Sequence, residues 1–266
     1  MSIPIYQVDA FTHEPFRGNP AAVCILSGQP DSAWMQQVAA EMNLSETAFV
    51  LPEQDGSYTI RWCTPTIEVD LCGHATLASS HVLLETGMVN PGAQIRFMSR
   101  SGPLGAQGNG RWIELDFPIR PEKAIVPPPD LGPALGVQPV YIGKNVDDYI
   151  VLVDSEQTVR EMQPDFARLR AFSVRGRGVI VTAAAETAGF DFVSRFFAPG
   201  AGIDEDPVTG SAHCCLGPFW MARLHKSEFT AYQASPRGGI VRVRVAGERV
   251  ILGGEAVTVL RGELVD

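Results

Sequence analysis

Glu46 is a single carboxylate in the run Leu44-Ser45-Glu46-Thr47-Ala48-Phe49-Val50, whose pattern reads as a buried strand. A carboxyl among apolar neighbours loses hydration. That raises its pKa from about 4.3 toward neutrality and suits it to general acid/base work. A rim position, or a capping box with the neighbouring Ser and Thr, is the structural alternative. Further reactive residue types sit in a local design that occurs twice: Thr64-Pro65-Thr66-Ile67-Glu68-Val69-Asp70-Leu71-Cys72-Gly73-His74-Ala75-Thr76, and Ala198-Pro199-Gly200-Ala201-Gly202-Ile203-Asp204-Glu205-Asp206-Pro207-Val208-Thr209-Gly210-Ser211-Ala212. Each copy follows a strand-like segment with an X-Pro turn, an acidic loop and a Gly that opens a helix-like run.

A helix entered through Gly exposes unpaired backbone N–H groups and the positive end of its dipole, which suits a carboxylate or phosphate. Two such ends facing one another would hold one small anionic metabolite between Gly73 and Gly210, with Ser211 adding a hydroxyl donor. At the first helix entry the dipole disfavours a nearby cation. His74 is therefore expected to stay neutral and to orient substrate or donate to a developing enolate. Cys72, just before the same helix, is expected to have a lowered pKa. Asp206 has two readings, an active-site acid or a simple N-terminal cap. His81, further along the helix, reads as a structural hydrogen-bonder. The five His and five Cys show neither zinc-binding spacing nor a His-Glu-x-x-His helix, so no metal is expected.

Several elements must position these groups. Ile3 to Phe11, Ala21 to Ile25 and Ser45 to Leu51 read as strands, with a helix capped by Asp31 or Ser32 before Asn43. The segment Ala75 to Leu84 is apolar nearly all round, which predicts a buried helix stopped at Gly87. Gly102, Gly105, Gly108 and Gly110 lack phosphate-loop spacing and read as hairpin turns. Seven prolines between Pro118 and Pro139 mark a connection between halves. Strands at Val140 to Ile142, Tyr149 to Val153, Gly178 to Thr182 and Asp191 to Phe197 then lead to the second loop and its helix. Pro218 predicts a kink or break near Gly217. Strands at Ile240 to Val245, Arg249 to Leu252 and Ala256 to Arg261 follow. Regular βαβ alternation is absent, which excludes a Rossmann fold.

The 266 residues accommodate two modest domains, and 45% hydrophobic residues is ordinary for packed cores. A net charge of −9 without a basic cluster argues against nucleic acid and anionic membrane as partners. No apolar run approaches the roughly 20 residues that span a bilayer, and the N-terminus lacks a signal-peptide layout. An odd number of cysteines without framework spacing fits free thiols in a reducing cytoplasm.

Four blocks carry a resemblance: Phe16-Arg17-Gly18-Asn19-Pro20, Ser45-Glu46-Thr47-Ala48-Phe49, Gly73-His74-Ala75-Thr76 and Asp206-Pro207-Val208-Thr209-Gly210-Ser211-Ala212. In their order and separations the chain resembles the PhzF-like isomerase family, named for a phenazine-biosynthesis enzyme and sharing its fold with diaminopimelate epimerase. The resemblance implies an α+β fold of two pseudo-symmetric epimerase-like domains, each an antiparallel barrel-like sheet around a central helix. They would comprise residues 1–117 joined by 255–266, and residues 118–254. It implies a homodimer and catalysis without cofactor or metal in a cleft between domains, with Glu46 moving the proton. His74 and Asp206 would be active-site residues, and Asn19 would line the cleft. Diaminopimelate epimerase uses two cysteines, one before each helix-opening Gly. Here the second place holds Thr209, whose hydroxyl is no proton acceptor at neutral pH without strong activation. A one-base isomerisation through Glu46 therefore fits better than racemisation by Cys72 with Glu46. A non-catalytic binding or interaction protein is the reading from another class.

Overall fold

The computed structural model describes residues 2–173 and 178–265. In chain order the elements are β1 (Ile3–Ala10), β2 (Asn19–Ile25), α1 (Ser32–Met42), β3 (Glu46–Pro52), β4 (Tyr58–Cys63), β5 (Glu68–Val69), α2 (Gly73–Glu85), β6 (Gln94–Ser99), β7 (Gly102–Asn109) and β8 (Trp112–Pro118). They continue with β9 (Lys123–Ala124), α3 (Leu131–Leu135), β10 (Tyr141–Lys144), β11 (Tyr149–Leu152), α4 (Glu156–Glu161), α5 (Phe166–Leu169), β12 (Val179–Ala184), β13 (Phe192–Ala198), β14 (Ile203–Asp206) and α6 (Gly210–Leu224). The last strands are β15 (Glu228–Gln233), β16 (Gly239–Ala246), β17 (Arg249–Gly254) and β18 (Ala256–Leu264). The chain divides into two compact units, residues 1–117 with 252–266 and residues 118–251.

In the first unit β1 pairs antiparallel with β18 and β2, and β3 pairs antiparallel with β4. The pairs β4–β5, β6–β7 and β7–β8 are antiparallel as well. The pairs β2–β3 and β4–β6 are parallel, so the sheet is mixed rather than wholly antiparallel. The reason is connectivity: α1 and α2 are the crossovers between those strands, and a helical crossover returns the chain in the same direction. Helix α2 packs against β1, β2, β3, β7 and β18. Its flanks are buried almost all round, as its composition predicts. The hydroxyls of Thr76, Ser79 and Ser80 donate to the carbonyls four residues back, which satisfies them inside this dry setting. Met35, Val38 and Ala39 of α1 join a separate apolar cluster with Ile5, Cys24, Phe49 and Leu51. Asp31 caps α1 by accepting from Trp34 N, and Asn43 ends it in the left-handed region.

The second unit repeats the plan. The pairs β10–β11, β12–β13, β13–β14 and β15–β16 are antiparallel, while β11–β12 and β13–β15 are parallel. Helix α6 runs through Pro218, so the expected break does not occur. Proline cannot donate to the carbonyl of Cys214, four residues back, but Arg120 N donates to it at 2.9 Å instead. The Pro-rich connection is more structured than its composition suggests. Pro133 falls in the first turn of α3, where a missing N–H costs nothing, and Leu131, Ala134 and Leu135 are buried in the unit's core. Gly110 occupies a turn and Gly102 opens β7, both with positive φ, whereas Gly105 and Gly108 lie inside β7. A Cβ on Gly108 would come within 3.0 Å of Leu84 Cδ1. No helix among the described residues is long and apolar enough to cross a membrane.

Candidate active site

Three elements of the first unit converge on His74. Asn19 opens β2, Glu46 opens β3, and Cys72 is the N-cap of α2 in extended conformation, with no side-chain capping bond. The imidazole sits in the first helical turn, with its side chain 7% exposed. Its Nε2 lies 3.1 Å from Glu46 Oε2, a charge contact without a well-directed hydrogen bond. Its Nδ1 lies 3.2 Å from Asn19 Nδ2 and 3.5 Å from Cys72 Sγ. The parallel pairing of Ala21 with Glu46 sets the carboxylate beside the end of β2 that carries Asn19. Glu46 retains 14% exposure, enough for a ligand to reach its carboxylate.

The electrostatic expectation for Cys72 is overturned. Burial, reinforced by the Glu46 carboxylate, pushes the Cys72 thiol above its ordinary value rather than below it. The helix dipole does not decide the state of His74 either. Burial lowers its pKa, while the acidic neighbours Cys72 and Glu46 push it well above the usual histidine value. With Cys72 kept as a thiol, the larger of these two influences is absent. Asn19 Nδ2 can only donate, so its 3.2 Å contact makes Nδ1 the acceptor and leaves the ring proton on Nε2, on the side of Glu46.

In the second unit the matching helix entry is built around Thr209, the N-cap of α6. Thr209 Oγ1 donates to Asp206 Oδ2 at 2.5 Å. Gln233, fully buried, braces both residues: Thr209 N donates to its Oε1 at 2.9 Å, and its Nε2 donates to Asp206 O at 2.8 Å. Gly210 is buried in the first turn of α6, while Ser211 beside it is exposed. The structure thus gathers Asn19, Glu46, Cys72 and His74 in one unit, and Asp206, Gly210 and Ser211 in the other. Sequence reasoning missed Gln233. Its signal is a polar residue at an inward position of β15, after Phe229 and Ala231. His81 is structural as expected, with Nε2 3.1 Å from Thr258 Oγ1.

The donor set Glu46, Cys72 and His74 supplies one ligand atom each, all within 4.8 Å of one another. The linear spacing conceals this cluster because its members come from a strand and a helix entry far apart in sequence.

Two helix-centred units of matching strand plan give the chain the epimerase fold. A solved hydroxyproline epimerase from Agrobacterium vitis shares that fold, with a TM-score of 0.65 at 12% identity over 99% of this chain and 92% of that one. Residues 8–262 match the family described as phenazine biosynthesis-like protein, and the chain belongs to that family. It is 54% identical over 265 residues, 99% of each chain, to an uncharacterized isomerase of Halalkalibacterium halodurans. A crystal structure of a phenazine biosynthesis protein PhzF family member from Enterococcus faecalis superposes with a TM-score of 0.95, at 44% identity over all of both chains.

Proposed function

We propose that this isomerase moves a proton between carbon atoms of a small carboxylate-bearing metabolite, with Glu46 as the general acid/base and without cofactor or metal. The observation that carries this reading is the Glu46–His74 contact of 3.1 Å at the entry of α2. In it, the Glu46 carboxylate takes a proton from a carbon next to the substrate's carboxylate or carbonyl. The electron pair left behind spreads onto oxygen, and the Nε2–H of His74 stabilises the oxyanion through a hydrogen bond. Protonated Glu46 then returns the proton to a different carbon. Asn19 and Gly73 of the first unit are the substrate-binding groups beside Glu46, and Asp206, Gly210 and Ser211 form the anion-binding helix entry of the second. Cytoplasmic location and a homodimeric assembly belong to the same proposal.

Racemisation with Cys72 as a second base is less well supported. The thiol is 7% exposed and burial raises its pKa. The equivalent position in the second unit is Thr209, whose hydroxyl already donates to Asp206. The test is solvent-deuterium incorporation across a panel of amino and cyclic carboxylic acids, with chiral analysis of product. Incorporation with a shifted double bond supports isomerisation. Incorporation with inverted configuration alone favours the epimerase, and none across the panel opposes proton transfer on these substrates.

A further inference from the structure

We infer that Glu46, Cys72 and His74 form a binding site for a borderline-soft divalent cation of the zinc class, and that the bound ion silences proton transfer. The three donors are a sulfur, an imidazole nitrogen and a carboxylate oxygen, each within 4.8 Å of the others. This mixed set is one that Zn²⁺, Co²⁺ and Cd²⁺ accept, whereas Mg²⁺ and Ca²⁺ prefer oxygen alone. Zinc bonds of about 2.0–2.3 Å at tetrahedral angles place neighbouring ligand atoms roughly 3.5 Å apart. Cys72 Sγ and His74 Nδ1 are separated by 3.5 Å, so these two already have the required bite. The Glu46 carboxylate, 3.1 Å from Nε2 of the same ring, must swing toward the Nδ1 side, which its flexible stem permits. Asn19 Nδ2 lies 3.2 Å from Nδ1, so the amide must turn as the ion enters.

Two features make such an ion an inhibitor rather than a helper. Its ligands are the lone pairs that proton transfer needs, so the proposed base and the metal compete for one carboxylate. Binding also replaces the thiol proton of Cys72, and the charge of the ion offsets the otherwise unfavourable thiolate beside Glu46. The silencing half of this inference rests on the reading of Glu46 as the proton carrier, while the binding half does not.

The experiment uses the full chain, stripped with a chelator and titrated with Co²⁺ as the spectroscopic probe. A thiolate-to-cobalt charge-transfer band saturating at one equivalent is expected, displaced by Zn²⁺ and untouched by Mg²⁺. Cys72→Ser should lose the band. Glu46→Gln should keep it but bind at least about tenfold more weakly, and circular dichroism should confirm that both variants fold. The remaining thiols, Cys24, Cys63, Cys214 and Cys215, are buried free cysteines and serve as the internal control. A band that survives Cys72→Ser, or no band in the wild type at millimolar Co²⁺, overturns the site. Deuterium exchange that continues with the band saturated overturns the silencing. A band in a protein whose stripped form exchanges nothing would count against the proposed isomerase and leave the metal site standing.

Discussion

The two units share a framework and differ in what they carry on it. The series β3–β4–β5–α2–β6–β7 in the first matches β12–β13–β14–α6–β15–β16 in the second, pair for pair in direction. Each acidic loop is anchored by a two-pronged ion pair: Arg61 to Glu68 at 2.7 and 2.7 Å, and Arg195 to Glu205 at 2.7 and 2.8 Å. Counting from these anchors aligns Cys72 with Thr209, His74 with Ser211 and Val69 with Asp206. The registers Thr47–Cys63 and Val179–Phe197 align Glu46 with Gly178. A Cβ on Gly178 would lie 2.1 Å from the Phe196 ring, so that half has no room for a second Glu46. The duplicated part is therefore the device that presents a helix end. The side chains on it differ: carboxylate and imidazole in the first unit, and a braced Asp–Thr pair in the second.

The largest contrast in stability concerns the twin ion pairs. Arg195 is 9% exposed and also donates to the carbonyls of Val159 and Met162. Replacing it with Met strands the Glu205 charge, and urea unfolding should show a loss of about 3–5 kcal/mol. Arg61 is 20% exposed, and Glu68 keeps Arg100 at 3.0 Å, so Arg61→Met should cost only about 1 kcal/mol. Equal losses would show that the two anchors are equivalent after all.

The next contrast is between the helix entries. His74→Ala should lower deuterium exchange by about 100- to 1,000-fold, the usual effect of removing one donor from a developing oxyanion. Ser211→Ala, at the matching place, removes only a neutral exposed hydroxyl, and initial rates should fall far less.

Buried carboxylates offer a smaller contrast, read by pH. Burial alone would raise the pKa of Glu156 in α4. The amides of Thr187 and Glu186, the Thr187 hydroxyl and Arg160 outweigh it and lower the value from 4.5 to about 2. A lowered folded value means that this stabilisation is complete above pH 4.5 and lost as the pH falls toward 2. Glu156→Gln should therefore destabilise the protein at neutral pH, with the difference from wild type closing over that window. A difference that persists at pH 2 would contradict the assignment. The smallest effect is expected for Cys72→Ser, which should change the exchange rate by less than about fivefold.

Much of this was legible in the sequence, for identifiable reasons. The two buried helices and their Gly entries could be read because α2 and α6 are apolar on nearly every face. Asn19, Glu46 and His74 were legible through short blocks of fixed residue types. The raised pKa of the Cys72 thiol was not, because it depends on burial and on Glu46, which lies across an interval of sequence that no local pattern spans. Continuity of α6 through Pro218 was hidden for the same reason, since the donor that compensates is Arg120 on a distant segment. Gln233 was missed because one polar residue at a strand's end carries no weight until the loop it braces is known.

The most direct test of the central claim is deuterium incorporation by Glu46→Gln on any acid that the wild type exchanges, with folding verified by circular dichroism. Glutamine keeps the size and polarity of the side chain but cannot carry the proton. The account predicts a fall of about 100- to 10,000-fold in exchange rate. Exchange at the wild-type rate would contradict it and remove Glu46 from the chemistry.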